Sequence, residues 1–184
     1  IVDLTFDNIY HEHVNYWSVT SIKHFFNRLG YDVAKVEHIN THGGSIRVYV
    51  KNQGCEIDSS VELFLNNESE FGLTNYQTYL DFAKRVEQAK INVTKNIKSL
   101  KDRGLTLVGY GSPAKATTSL NYFGITSNEI DYIIEDNSLK HNKILPGVYI
   151  PIYSREKINE KLPDVVVVMA WNFFEDIKLN NQDL

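Results

Sequence analysis

Residues 105–124, "LTLVGYGSPAKATTSLNYFG", decide the class of fold. "LTLVGYG" (105–111) is a short apolar run of the kind that fills a strand buried on both faces. "SPAKATTSLNYFG" (112–124) follows directly, and its apolar spacing suits a helix. A strand, a tight glycine turn and a helix make the first half of a βαβ unit. The same grammar continues downstream: "IDYIIED" (130–136) reads as a second strand, "SREKINEKL" (154–162) as a helix and "DVVVVMA" (164–170) as a third strand. Short apolar runs alternating with helices predict right-handed crossovers and a parallel, Rossmann-like α/β sheet.

Working upstream, residues 74–103 carry one long helical stripe through Tyr76, Tyr79, Phe82, Val86, Ala89, Val93, Ile97 and Leu100. Thr74 can cap its start and Gly104 can end it, and its length suits a link between two units. Before it, "SVTSIKHFFNRLG" (18–30) predicts a helix, while "YDVAKVEHI" (31–39) and "SIRVYVK" (45–51) predict a hairpin turning at Gly43-Gly44. A helix and a hairpin are an incomplete domain and need a larger sheet. The expected organisation is a remnant over 1–66, then a Rossmann-like domain with its long linking helix over 67–184. Residue 1 is isoleucine in an apolar run, and the chain closes on a helix, so a piece of a longer polypeptide is expected.

Of the 184 residues, 42% are hydrophobic, which suits a packed core and argues against general disorder. A net charge of -4 without any Lys/Arg cluster gives no footprint for nucleic acid. The longest apolar run, "DVVVVMAW" (164–171), is too short to span a bilayer, and no secretory signal is evident. The single cysteine, Cys55, excludes an internal disulfide framework. A cytoplasmic protein without nucleic-acid or membrane partners is expected.

Three constellations can carry chemistry. In "GYGSPA", Gly109, Gly111 and Ala114 match G-x-G-x-x-G/A directly after a strand and at the opening of a helix. Ser112 is placed to be the N-cap and Pro113 the first helical residue, with Lys115 one turn in. Glu135-Asp136 ends the next strand, near the position of a ribose-binding acid in dinucleotide folds. The turn can therefore bind an anion or nucleotide, or its small residues can simply permit close helix–strand packing. In "YHEH" (10–13), His11 and His13 are two apart, which on an extended segment turns both imidazoles one way. A zinc site with His42, a general base supported by Tyr10 and Glu12, and a plain polar turn all remain open. "THGGSIR" (41–47) places His42, Ser45 and Arg47 at the hairpin, either as an anion clamp or as a solvated turn. Asn137 and Asn172 directly follow strands, at the edge where open α/β sheets bind ligands.

Four separated stretches, kept in order, resemble one family: "FDNIYHEHVNYWSVTSIKHFFNRLGYDVAKVEHINTHGGSIRVYV", "GYGSPAKATTSLNYFGI", "IDYIIEDNSLKHNKILPGVYIPI" and "PDVVVVMAWNF". They are similar to sugar C-methyltransferases, which act on nucleotide-linked deoxysugars with S-adenosylmethionine as methyl donor. The resemblance implies a zinc module rich in cysteine, a methyl-donor domain and a C-terminal Rossmann-like domain. This chain would begin late in the second part, so the donor loop and any zinc are expected outside it, no metal is assigned within it, and alone it is expected to be inactive. Ser112 and Ala116 stand where the family usually has Ala and Gly, mild departures that leave the turn plausible.

The resemblance also implies roles. Methylating a carbon beside a keto group needs a base to remove a weakly acidic proton and a donor for the enolate oxygen. His13 is the implied base, with Tyr10 and Glu12 orienting it, holding sugar hydroxyls or helping to stabilise the enolate. His11 is either packed or shared with substrate. His42, Ser45 and Arg47 are expected near the sugar or its diphosphate, of dTDP type, and Tyr110, Ser112 and Lys115 are expected to close the site. The rival expectation is a non-catalytic nucleotide or nucleotide-sugar binding module that uses Gly109 and Gly111.

Overall fold

The computed structural model describes residues 2–41 and 44–182. The chain forms two compact units, one built from residues 14–83 and the other from residues 1–13 together with 84–184.

The unit of residues 14–83 holds α1 (Val19–Asn27), β1 (Tyr31–Ile39), β2 (Ser45–Asn52) and α2 (Ser59–Glu70). The strands form the antiparallel pair expected from the alternation, with Val36 opposite Val48 and Glu37 opposite Arg47. Val19, Val33, Val36 and Val61 are buried together, and Ile22, Ile46, Val48 and Phe64 pack against them. Helix α2 supplies Val61, Phe64 and Leu65 to this core and is the element the apolar pattern did not reveal. Its start carries a readable signal: Asp58 is the N-cap and accepts from the Ser60 N–H. Near the other end of α2, the Glu68 carboxylate accepts the Val19 and Thr20 N–H groups at 2.6 and 2.8 Å. Those donors begin α1, where a carboxylate is also favoured by the helix dipole.

Helix α3 (Tyr76–Asp102) runs through the boundary at 83/84. Asn75, not Thr74, accepts at its start, from the Gln77 N–H at 2.9 Å. Beyond it come β3 (Leu107–Tyr110), α4 (Ala114–Phe123), β4 (Tyr132–Ile134), β5 (Ile152–Tyr153), β6 (Val165–Val168) and α5 (Phe174–Asn180). The four strands form a parallel sheet in the order β5-β4-β3-β6. Its two faces bury different sets. Leu107 and Ile133 join Leu120, Ile125, Ile130 and Ile150 on one side. Val108, Tyr110 and Ile134 join Ile158 on the other. Burial on both faces explains why these strands read as continuous apolar runs.

Two local expectations differ from the structure. The helix expected over 154–162 is a short 3-10 turn, Arg155–Asn159. Pro163 removes a backbone donor and disfavours helical geometry at Leu162, so the segment has no room for a full helix. Strand β5 went unrecognised because two residues carry no readable period. Among the described residues, no helix is long and apolar enough to cross a membrane.

Candidate active site at the strand-order reversal

The chain leaves β3 toward β4 and β5, then crosses back to place β6 on the other side of β3. That reversal is a topological switch point, and open α/β sheets bind ligands outside the strand C-termini at such places. The residues that follow β3 and β6 there are Gly111 and Ser112, and Ala170, Trp171 and Asn172.

The glycines at this edge answer first to packing. A Cβ on Gly109 would lie 2.8 Å from Ile133 Cγ1 and 3.3 Å from Met169 Cε. At Gly111, φ is +81°, and a Cβ would come within 3.2 Å of the Ala170 side chain. Both positions therefore require glycine without any bound phosphate.

The turn also has an anion of its own. Glu135 Oε2 accepts the Ser112 N–H at 2.8 Å, and the Ser112 hydroxyl donates to the same oxygen. Its Oε1 accepts the Asn137 N–H at 3.0 Å. Lys140 Nζ bridges the Ser112 carbonyl at 2.8 Å and Glu135 Oε2 at 3.3 Å. Ser112 thus spends its side chain on Glu135, and Pro113 holds the N-cap position of α4 with no side-chain cap, one residue later than the sequence implied. Burial by itself would raise the Glu135 carboxyl, but the hydrogen bonds from Ser112 and Asn137 and the Lys140 ammonium outweigh it and hold the group below the usual carboxylate range.

A depressed folded-state value means that Glu135 stabilises the fold fully above the unfolded carboxyl range. That contribution is lost as pH falls through the folded value. Glu135→Gln is expected to cost about 1–3 kcal/mol at pH 7. The gap between variant and wild type should narrow on acidification below about pH 4, which urea unfolding across pH 3–7 measures. A gap that stays constant with pH would contradict the assignment.

The histidine segment belongs to the same unit. Phe6–Asn8 forms a 3-10 turn. The Phe6 ring lies 5.5 Å from Tyr122 and 5.4 Å from Phe123 on α4, centroid to centroid. The buried Asp7 (5% exposed) accepts the Trp171 Nε1–H at 2.8 Å. Lys115 Nζ lies 5.4 Å from the Trp171 ring centroid, buried and, among the described residues, without a hydrogen-bond partner. The segment is thereby joined to the residue that follows β6.

His13 is exposed, yet its ring is oriented: Nδ1 lies 2.7 Å from the Asn8 carbonyl oxygen. A carbonyl only accepts, so Nδ1 carries the hydrogen and the basic lone pair of the neutral ring is on Nε2. The Tyr10 ring is 4.4 Å from the His13 ring and 6.0 Å from that of His11. Glu12 and His11 are exposed.

The remaining residues are placed as follows. Tyr110 is buried, its hydroxyl donating to Asp136 at 3.1 Å and accepting from Asn181 Nδ2 at 3.4 Å. Burial raises this phenol above its ordinary value; the Asn181 bond opposes it, and the Asp136 carboxylate adds to the upward push. Asn137 accepts the Leu139 N–H at 3.0 Å, and Asn172 is exposed in the turn after β6. Ser45 and Arg47 belong to the unit of residues 14–83. There Ser45 donates to the Thr41 carbonyl at 3.0 Å, and Arg47 faces Glu37 at 3.7 Å. His42, like Gly43, lies outside the described residues. Among the described residues no group of three or more His, Cys, Asp or Glu is arranged to hold a metal ion.

Asp7 and Trp171 are the site residues that sequence reasoning overlooked, because Asp7 has no local motif and Trp171 read as core. They are 164 positions apart, and only the fold brings them together.

A parallel sheet with a histidine-bearing segment fixed at its switch point defines a Rossmann-like domain with a candidate proton-transfer site. Residues 40–184 match the family described as the C-methyltransferase C-terminal domain, and the chain belongs to that family. It is 33% identical over 180 residues to the C-methyltransferase NovU of Streptomyces niveus. The matched span covers 97% of this chain and 43% of NovU, so the chain spans less than half the length of that relative.

Proposed function

We propose that this chain forms the C-terminal part of an S-adenosylmethionine-dependent C-methyltransferase acting on a nucleotide-linked keto-deoxysugar, of dTDP type. The reading is supported chiefly by His13: its Nδ1–H is held by the Asn8 carbonyl, leaving Nε2 as the basic atom. A sugar C–H beside a keto group loses its proton only to a base positioned within hydrogen-bond reach, and a near-neutral imidazole suits the task. In this reading His13 Nε2 takes that proton, and the electron pair moves into an enolate whose carbon is then nucleophilic.

Tyr10, whose ring lies tilted beside His13, and Glu12 orient the base, hold sugar hydroxyls or help stabilise the enolate oxygen. His11 is shared with substrate. His42, Ser45 and Arg47 are assigned to the sugar or its diphosphate, and Tyr110, Ser112, Lys115, Asn137 and Asn172 to the C-terminal wall of the site. The methyl donor supplies an electrophilic methyl group. The chain's own glycine turn does not fit it, since Glu135 already takes the Ser112 N–H and Ile133 fills the space beside Gly109. The donor site is therefore assigned to other parts of a longer polypeptide, and no zinc site is proposed in this chain.

The chain alone, given S-adenosylmethionine and a dTDP-linked keto-deoxysugar, is expected to yield no methylated product, whereas the longer enzyme containing it does. Turnover by the chain alone would overturn the division of labour. The rival, a non-catalytic nucleotide-binding module built on Gly109 and Gly111, predicts calorimetric binding of NAD without a response to dTDP. The Glu135 carboxylate at that turn weighs against it.

A further inference from the structure

We infer that Lys115 is the phosphate receptor of this sheet edge: its ammonium rests on the Trp171 ring in the free protein and turns to a diphosphate when ligand arrives. Identifying that diphosphate with the one in the nucleotide-linked sugar rests on the function proposed above. The anion site itself does not.

The carboxylates beside Lys115 are answered by other donors. Glu135 takes the Ser112 and Asn137 N–H groups and the Lys140 ammonium. Asp7 takes the Trp171 indole N–H at 2.8 Å. The Lys115 ammonium is shielded from solvent and, among the described residues, has neither a hydrogen-bond acceptor nor an ion-pair partner. The Trp171 ring, 5.4 Å away, offers a cation–π contact but no acceptor for the three N–H bonds. A buried charged donor left without an acceptor destabilises the free protein, and a ligand that supplies one removes that cost.

The position of the lysine adds to the demand. Lys115 is the second residue of α4, at the positive end of the helix dipole, where a cation is disfavoured and an anion favoured. Helix α4 also opens with no side-chain cap, and its first residue, Ala114, is exposed. Glu135 does not fill this place, because its oxygens are spent on Ser112 and Asn137, outside the helix. The helix start and the ammonium thus call for one acceptor, at the strand-order reversal where open α/β sheets take ligands. A phosphate has enough oxygens to meet both. The flexible four-carbon stem lets the ammonium leave the ring while α4 stays in place.

Lys115→Met keeps the stem and removes the charge. It is expected to resist urea better than wild type, since an unanswered buried ammonium gives way to an apolar end. It is also expected to bind inorganic pyrophosphate about 10- to 100-fold more weakly. Calorimetry on the full chain at constant ionic strength measures the affinity. Trp171 emission measures the movement in a Trp17→Phe background, where Trp171 is the remaining tryptophan. Pyrophosphate should change that emission saturably as the cation leaves the ring, and sodium chloride should not.

No saturable binding by the wild-type chain, or equal affinity in Lys115→Met, would overturn the inference. Lower urea resistance in Lys115→Met would contradict the unanswered charge, and binding without a change in emission would contradict the movement. In the longer enzyme, Lys115→Met should raise KM for the nucleotide-linked sugar with kcat little changed, whereas loss of the base acts on kcat. An unchanged KM, with pyrophosphate binding lost, would keep the anion site and overturn its assignment to the substrate's diphosphate.

Discussion

Methyl transfer by the longer enzyme carrying His13→Gln is expected to fall by a factor on the order of 10²–10⁴, the range a positioned general base contributes. Glutamine keeps a side-chain donor for the Asn8 carbonyl, so the turn Phe6–Asn8 retains its partner while the basic nitrogen is gone. Binding of the nucleotide-linked sugar should change little, and the loss should appear in kcat. Tyr10→Phe keeps the ring beside His13, at a centroid distance of 4.4 Å in the wild type, and removes only the hydroxyl. It should cost less than the loss of the base. Steady-state kinetics of the two variants checks the ranking, and a larger loss in Tyr10→Phe would move the base assignment away from His13.

The second large effect is on stability. Gly109→Ala places a methyl group 2.8 Å from Ile133 Cγ1, inside a strand whose residues are all buried, and is expected to cost about 1–3 kcal/mol. Ile133→Ala alone should cost about 2–5 kcal/mol by leaving a cavity. Combined, the two should cost less than their sum, because the new methyl group enters the space that Ile133 vacates, and contacting residues commonly couple by about 0.5–3 kcal/mol. Urea unfolding of the four proteins measures this. Had the glycine served the close approach of a phosphate, Gly109→Ala would weaken nucleotide binding and leave stability nearly unchanged. The two accounts of the turn are therefore separated by one cycle.

The α/β class was legible because β3 and β4 contribute buried residues to both faces, β6 packs partly buried against both, and all three present unbroken apolar runs. The hairpin was legible for the opposite reason: Ile46, Val48 and Val50 alternate with polar residues along β2. What stayed hidden was whatever depends on long-range partners. Helix α2 has a weak apolar stripe, and its capping Asp58 alone does not announce a helix. The G-x-G match pointed to a ligand, yet the anion at that turn is Glu135, 23 residues away from Ser112 and brought there by the parallel pairing of β3 with β4. Of the candidate site, the YHEH segment was visible as one of several open readings, and only the resemblance gave His13 the role of base. The bond that ties it to the sheet, from Trp171 to Asp7, leaves no trace in either local sequence.

The central claim is that this chain supplies the base that removes a carbon-bound proton. Deuterium wash-in tests it most directly: the longer enzyme is incubated with the nucleotide-linked keto-deoxysugar in deuterium oxide, with the methyl donor left out. The wild-type protein is expected to place deuterium on the carbon beside the keto group, and His13→Gln is expected to place none above the uncatalysed background. Equal incorporation by the two proteins would contradict the claim.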